Sequence, residues 1–238
     1  MSSELVPRPA EGRVFGVDAI AGLGDVAPTG RVRLDTIARW LQDAAWADAA
    51  DSGLADEGAW FVRAMRVEVQ QFPRFGEACE VATWCSGTGA LWAERRTSVT
   101  GTDGARVETA AIWVHMEADG SRPRPLPEGF DQFYAAAAAG RRVRARLRHD
   151  PEPPDGASKE PWRFRSADLD LAGHVNNAVY WTVVEEQLAA GADPPEPYAA
   201  EIEHRGPTAE RDAIVRRSGA QTWICAGHGE VVATVVAG

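Results

Sequence analysis

Between Trp60 and Glu117, apolar and polar residues alternate with period two through four long segments, directly after one long segment of helical period. That order constrains the fold more than any other feature of the chain. Phe61, Met65, Val67 and Val69 alternate with Val62, Ala64, Arg66 and Glu68, the pattern of a strand. The spacing predicts strands at about Ala59–Gln71, Glu77–Ser86, Ala90–Thr100 and Ala105–Glu117, with Gly101-Thr-Asp-Gly104 as the tight turn of an antiparallel hairpin. Before them, Leu34, Ile37, Ala38, Leu41, Ala44, Ala45 and Ala49 keep the spacing of one helix face. Gly53 suits a left-handed cap at the end of that helix, and only Asp48 interrupts its stripe. A stripe of small residues lets a curved sheet approach closely. The first half therefore reads as a short strand near Arg13–Val17, one long helix, and an antiparallel sheet wrapped around it. Trp40 and Trp46 lie off the stripe and read as packing residues.

The prolines of Gly120-Ser-Arg-Pro-Arg-Pro-Leu-Pro127 lack amide donors and end this sheet. Asp131 to His149 reads as a solvated linker helix with a basic cluster, Arg141, Arg142, Arg144, Arg146 and Arg148, and Pro151–Gly156 as a linker. The basic cluster would also suit an acidic partner. The order of elements then repeats: a short strand at about Trp162–Arg165, a helix ending near Ala190, and strands at Tyr198–His204, Asp212–Gly219, Gln221–His228 and Glu230–Ala237. This implies an internal duplication with units at 12–140 and 161–238 and a linker at 141–160.

With 35 acidic and 25 basic residues the net charge is −10, which argues against nonspecific nucleic-acid binding and against an anionic membrane surface. No window reaches transmembrane length, and the first twelve residues have no apolar run. Cys79, Cys85 and Cys225 have no metal-site spacing and read as core thiols in a reducing cytoplasm. Cys225 and His228 fall on opposite faces of a strand-like alternation, which disfavours a Cys–His nucleophile. No metal or cofactor is called for.

Chemistry concentrates in the loop ahead of the second helix. Asp168, Asp170, Gly173, His174, Asn176 and Asn177 precede an apolar run containing Ala178, Tyr180, Trp181, Val184 and Leu188. A helix N-terminus offers unpaired amides to an oxygen gaining negative charge, which suits acyl transfer. Asp170 is a candidate base or nucleophile, and His174 a group that orients it or relays a proton. Gly173 allows close backbone approach to a substrate, and Asn176 is a cap with a second reading as a substrate-binding residue. Asp168 reads as a loop organiser. Each residue alone has a duller account, because an Asp before a helix is commonly a cap and a His a loop hydrogen-bonder.

In Asp168-Leu-Asp-Leu-Ala-Gly-His-Val-Asn-Asn177 with Tyr180, in Ile202-Glu-His-Arg205, and in Leu34–Gly53, Glu77–Ser86 and the Arg122-Pro segment, the sequence resembles the plant-type fatty acyl-ACP thioesterases and their bacterial relatives. These are double hot-dog proteins within the wider hot-dog thioesterase superfamily. The resemblance implies a tandem hot-dog α+β fold, two units each with a long helix wrapped by an antiparallel sheet. It places the family's catalytic Asp on Asp170 and its His on His174. The family's Asn falls on Ala172, and its Arg-Arg-Glu-Cys stretch falls on Arg205-Gly-Pro-Thr208, so Pro207 stands where the family has Glu. The same loop is also similar to single-domain hot-dog acyl-CoA thioesterases, in which an Asp attacks or activates water and a downstream Gly N–H holds the thioester oxygen. In that version Ala172 is harmless.

The resemblance thus implies hydrolysis of acyl thioesters of acyl carrier protein or coenzyme A, by a monomer or weak homodimer. The alternatives are a noncatalytic acyl-binding hot-dog protein, motivated by Ala172 and Pro207, and a hot-dog enoyl-thioester hydratase.

Overall fold

The computed structural model describes residues 5–189 and 193–238. Ten strands form one sheet in which all neighbours run antiparallel. The first half supplies β1 (Phe15–Ile20), β2 (Ala59–Gln71), β3 (Ala78–Thr88), β4 (Trp92–Gly101) and β5 (Arg106–Met116). The second supplies β6 (Ser158–Arg163), β7 (Tyr198–His204), β8 (Asp212–Ser218), β9 (Gln221–Ala226) and β10 (Val231–Ala237). The order is β1-β3-β4-β5-β2-β7-β10-β9-β8-β6. Read inward from either edge, each half places its strands in the same sequence: first, third, fourth, fifth, second. The halves meet where β2 pairs with β7, from Ala64 opposite Glu203 to Val69 opposite Tyr198.

Among the described residues three α-helices accompany the sheet: α1 (Leu34–Asp51), α2 (Phe130–Ala138) and α3 (Thr182–Ala189). The position expected to end the third helix, Ala190, lies outside the described residues. The apolar stripe of α1, from Leu34 through Ala44, shares one core with Met65, Val67, Ile202, Val215 and Trp181. Gly53 ends α1 at a φ of +73°, which a side-chain-bearing residue rarely adopts.

Asp48, the one interruption of the stripe, is fully buried. It accepts hydrogen bonds from Arg13 Nε (2.5 Å), Arg95 Nη1 (2.6 Å) and the Tyr134 hydroxyl (3.0 Å), so its charge is compensated inside the first half. A second buried pair joins the halves. Glu185 of α3 takes two hydrogen bonds from Arg31, at 3.0 and 2.7 Å, and one from the Leu34 amide at 2.6 Å, placing a carboxylate at the N-terminus of α1.

Several expectations are corrected. The edge strands lie off the expected positions, β1 starting two residues later and β6 four residues earlier, because edge strands have one partner and a weak pattern. Trp46 is 68% exposed and packs nothing, while Trp40 is half-buried against the core. The linker helix over the basic cluster does not form beyond Ala138. Ala139 and Gly140 take left-handed conformations, and the chain then runs extended. Thr88 of β3 pairs with this segment, its N–H donating to Arg141 O at 3.0 Å and its carbonyl accepting the Val143 N–H at 3.1 Å. Val143, Ala145 and Leu147 turn inward onto Ala64, Ala110 and Ile112, and Arg142, Arg144, Arg146 and Arg148 turn out. Arg-Val-Arg-Ala-Arg-Leu-Arg is itself a period-two pattern, and that signal was available in the sequence.

Candidate active site

The loop between β6 and α3 is built on its own backbone. Phe164 is buried and its amide donates to Arg211 O at 2.8 Å, which anchors the loop's start. Asp168 Oδ2 accepts the Arg165 amide at 2.7 Å, and Asp168 O accepts the Asn176 amide at 2.9 Å, so Asp168 organises the loop as its buried position suggests. Leu169 and Val175 pair as an isolated bridge, and the residues between them form a tight turn.

Asp170 sits at the base of that turn. Its amide donates to His174 O at 2.8 Å, its carbonyl accepts the Gly173 amide at 2.9 Å, and its Oδ1 accepts the amides of Ala172 (2.9 Å) and His174 (3.2 Å). One carboxylate oxygen thus holds the turn. Gly173 has a φ of +74°, and its amide is spent inside the turn, so it does not offer the oxyanion donor that the single-domain comparison implied. Ala172 and Gly173 are exposed, and Leu171 at the tip is fully so.

His174 is half-buried, and its Nδ1 is sealed from solvent with no hydrogen-bond partner. A buried polar atom of this kind is uncommon and marks a group waiting for a partner. Val175 N–H donates to Thr208 O at 2.9 Å, tying the loop to the segment after β7. Asn176 opens the following helical turn: its Oδ1 accepts the Ala178 amide at 2.9 Å and its carbonyl the Val179 amide at 3.0 Å. This is N-capping geometry. Asn177 follows as the first residue of the turn.

Two further residues complete the surroundings. Tyr180 is buried, and its phenol is pushed up in pKa first by burial and then by the negative charge of Asp170. His204, at the end of β7, lies on the same sheet face as Tyr198, Ala200 and Ile202 and stands edge-on to Tyr180. Its imidazole is pushed down to about 4 by burial, with the positive charge of Arg63 adding to the effect. His204 was missed as a site residue. The signal was its inward phase in the alternation of β7. Pro207 and Thr208 lie where the resemblance expected a polar pair, and only the Thr208 carbonyl enters the loop's hydrogen bonds.

Among the described residues, one other group could gather around a metal ion. His149, Glu201 and Glu203 bring ligand atoms within 4.8 Å of one another, on the sheet face opposite His204. Glu203 already accepts the amides of Arg148 (2.5 Å) and His149 (3.1 Å), so it fastens the extended linker to the sheet. Cys225 is buried, and His228 is exposed between Glu210 and Glu230.

A loop carrying a carboxylate and an imidazole thus opens a helical turn beside a sheet-wrapped helix. The 12:0-ACP thioesterase of Umbellularia californica shares this fold, with a TM-score of 0.73 at 21% identity, over 95% of this chain and 97% of that one. The family models for the acyl-ACP thioesterase N-terminal domain and C-terminal domain match residues 18–134 and 152–226. The chain belongs to the acyl-ACP thioesterase family, and it is a thioester hydrolase. An uncharacterized protein of Mycobacterium tuberculosis is 27% identical over 90% of this chain and 85% of its own length. The chloroplastic oleoyl-acyl carrier protein thioesterase 1 of Arabidopsis thaliana is 27% identical over 65% of this chain, which spans about half (49%) of that relative. No helix among the described residues is long and apolar enough to cross a membrane.

Proposed function

We propose that this chain releases fatty acids from acyl carrier protein by hydrolysing their thioesters, at one site per chain in the second of two tandem hot-dog units. The observation that carries the reading is the Asp170–His174 turn: it holds one carboxylate oxygen with two amides and leaves the other, Oδ2, without a hydrogen bond among the described residues. That oxygen is the base. It takes a proton from water, the hydroxide adds to the acyl carbon, and the tetrahedral intermediate collapses by breaking the C–S bond, with the thiolate recovering the proton. His174 orients the water or carries the proton to the leaving sulfur. The oxyanion is met by the first amide of the helical turn, Asn177, in place of Gly173. Asn176 shapes that donor by capping.

The two-unit reading, with boundaries at 12–140 and 161–238 and a linker at 141–160, is supported by the identical strand order of the two halves. Pairing of β2 with β7 joins the units within one chain, which supports a monomer or weak dimer. Retention of Asp170 and His174 counts against a noncatalytic acyl-binding role. The test is thiol release from acyl-ACP and acyl-CoA panels by wild type and Asp170→Asn. The variant keeps an oxygen for the two turn amides but loses the base, so turnover should fall by about a thousandfold with the melting temperature unchanged. Wild-type turnover in Asp170→Asn would end the proposal.

A further inference from the structure

The two halves of the sheet differ on the face turned away from the helices. In the first half that face is covered by Val143, Ala145 and Leu147 of the extended linker. In the second half it is open, as a groove of about 620 Å³. Lys159 and Arg216 are register partners on β6 and β8, so their side chains leave the sheet next to one another and line the groove. Arg205 enters from the end of β7, and Ile214, Cys225 and Val231 form an apolar floor.

Arg216 is half-buried and has no hydrogen bond or ion pair among the described residues; its Nε is sealed without a partner, as is that of Arg205. Arg205 is held in place by Nη2 donating to His149 O at 2.8 Å and, at 3.5 Å, to Glu203. Two carboxylates also line the groove. Glu230 is turned onto His228 Nε2 at 3.1 Å, and Glu152 is exposed on the linker that forms the rim. The half-buried Arg216 and the exposed Lys159 thus make no ion pair among the described residues, in a chain whose net charge is −10. A half-buried guanidinium without an acceptor is costly, and its planar fork matches oxyanions. The volume falls in the range of small-ligand sites and exceeds the needs of a lone anion.

We propose that this groove binds the phosphate group of a small ligand, with Arg216 and Lys159 as its charged contacts and Arg205 at the inner end. The phosphate is either free or carried on a nucleotide, and the apolar floor takes the remainder of the ligand in the second case. No residue of the Asp170 loop lines the groove, and the site does not depend on the proposed mechanism.

The test is isothermal titration of the full chain, at constant ionic strength, with inorganic pyrophosphate and separately with adenosine 3′,5′-bisphosphate. Saturable one-to-one binding is expected, and tighter binding of the nucleotide identifies a nucleotide-borne phosphate, whereas equal or tighter binding of pyrophosphate identifies a free one. Arg216→Gln should weaken either by at least about tenfold, as loss of a charge-assisted contact does. Arg163→Gln, which removes an exposed cation from the same edge strand, should leave affinity unchanged, and Asp170→Asn should bind as wild type. Lys159→Glu provides a second variant should Arg216→Gln fold poorly, and it too should bind at least tenfold more weakly. Absence of saturable binding with both ligands, or undiminished affinity in the folded variants, overturns the proposal.

Discussion

His204 stands edge-on to Tyr180, with ring centroids 5.1 Å apart and planes at 78°. Burial raises the pKa of that phenol, and the charge of Asp170 adds to the rise. Burial keeps the imidazole neutral at physiological pH, and a neutral ring adds no second charge beside the carboxylate.

The pH dependence of stability follows from this burial. In the unfolded chain His204 titrates near 6.5, and in the native chain near 4, so between those values the unfolded state binds more protons. The contribution is complete above pH 6.5 and is lost as pH falls toward 4, a total of about 3 kcal/mol. Urea midpoints should therefore drop more steeply over this window for wild type than for His204→Gln. Parallel curves would show that the imidazole is not held neutral.

His174→Ala should lower turnover by about ten- to a hundredfold, less than Asp170→Asn, because a group that orients water or relays a proton leaves the base in place. Steady-state assays on one acyl-ACP substrate check this. A loss equal to or greater than that of Asp170→Asn would make His174 the principal base.

Ala172→Asn restores the residue type that the resemblance gives the plant enzymes at this position. In the structure Ala172 is exposed beside the fully exposed Leu171. An Asn side chain there stands in water, and turnover should change by less than about twofold, as for most surface substitutions. A tenfold rise at saturating substrate would show that the tip turns inward when substrate binds.

The outward arginines of the extended linker lie about 7 Å apart along one edge, a spacing set by the strand repeat. Arg144→Glu with Arg146→Glu should reduce kcat/KM on acyl-ACP by about tenfold at low salt and leave acyl-CoA hydrolysis unchanged, because steering acts on an acidic protein partner. An equal effect on both substrates, or none on either, would count these residues as ordinary solvated charges.

Much of this molecule was legible from periodicity. The boundaries of β2 and β7 were read to the residue and that of α1 within two, since long interior elements repeat their pattern many times. The edge strands β1 and β6 were misplaced because each pairs on one side only and carries little apolar signal. The linker is extended where a helix was expected because Val143, Ala145 and Leu147 alternate and bury against the sheet.

What the sequence by itself determined was the set of local preferences: two helix-then-strands units, a turn at Asp170–His174 closed by a glycine, and a cap at Asn176. These follow from spacing and backbone conformation, which neighbouring residues settle among themselves. The tertiary structure alone decided which groups lose their water and which charges meet. Asp48 reads as a blemish in an apolar stripe until Arg13, Arg95 and Tyr134 arrive from distant segments to compensate it. Likewise Glu185 becomes a cap for α1, His204 becomes a neutral imidazole against Tyr180, and the Gly173 amide is consumed by Asp170. Desolvation and pairing depend on residues more than 150 positions apart, and no local pattern encodes a partner that only the folded sheet brings within hydrogen-bonding distance.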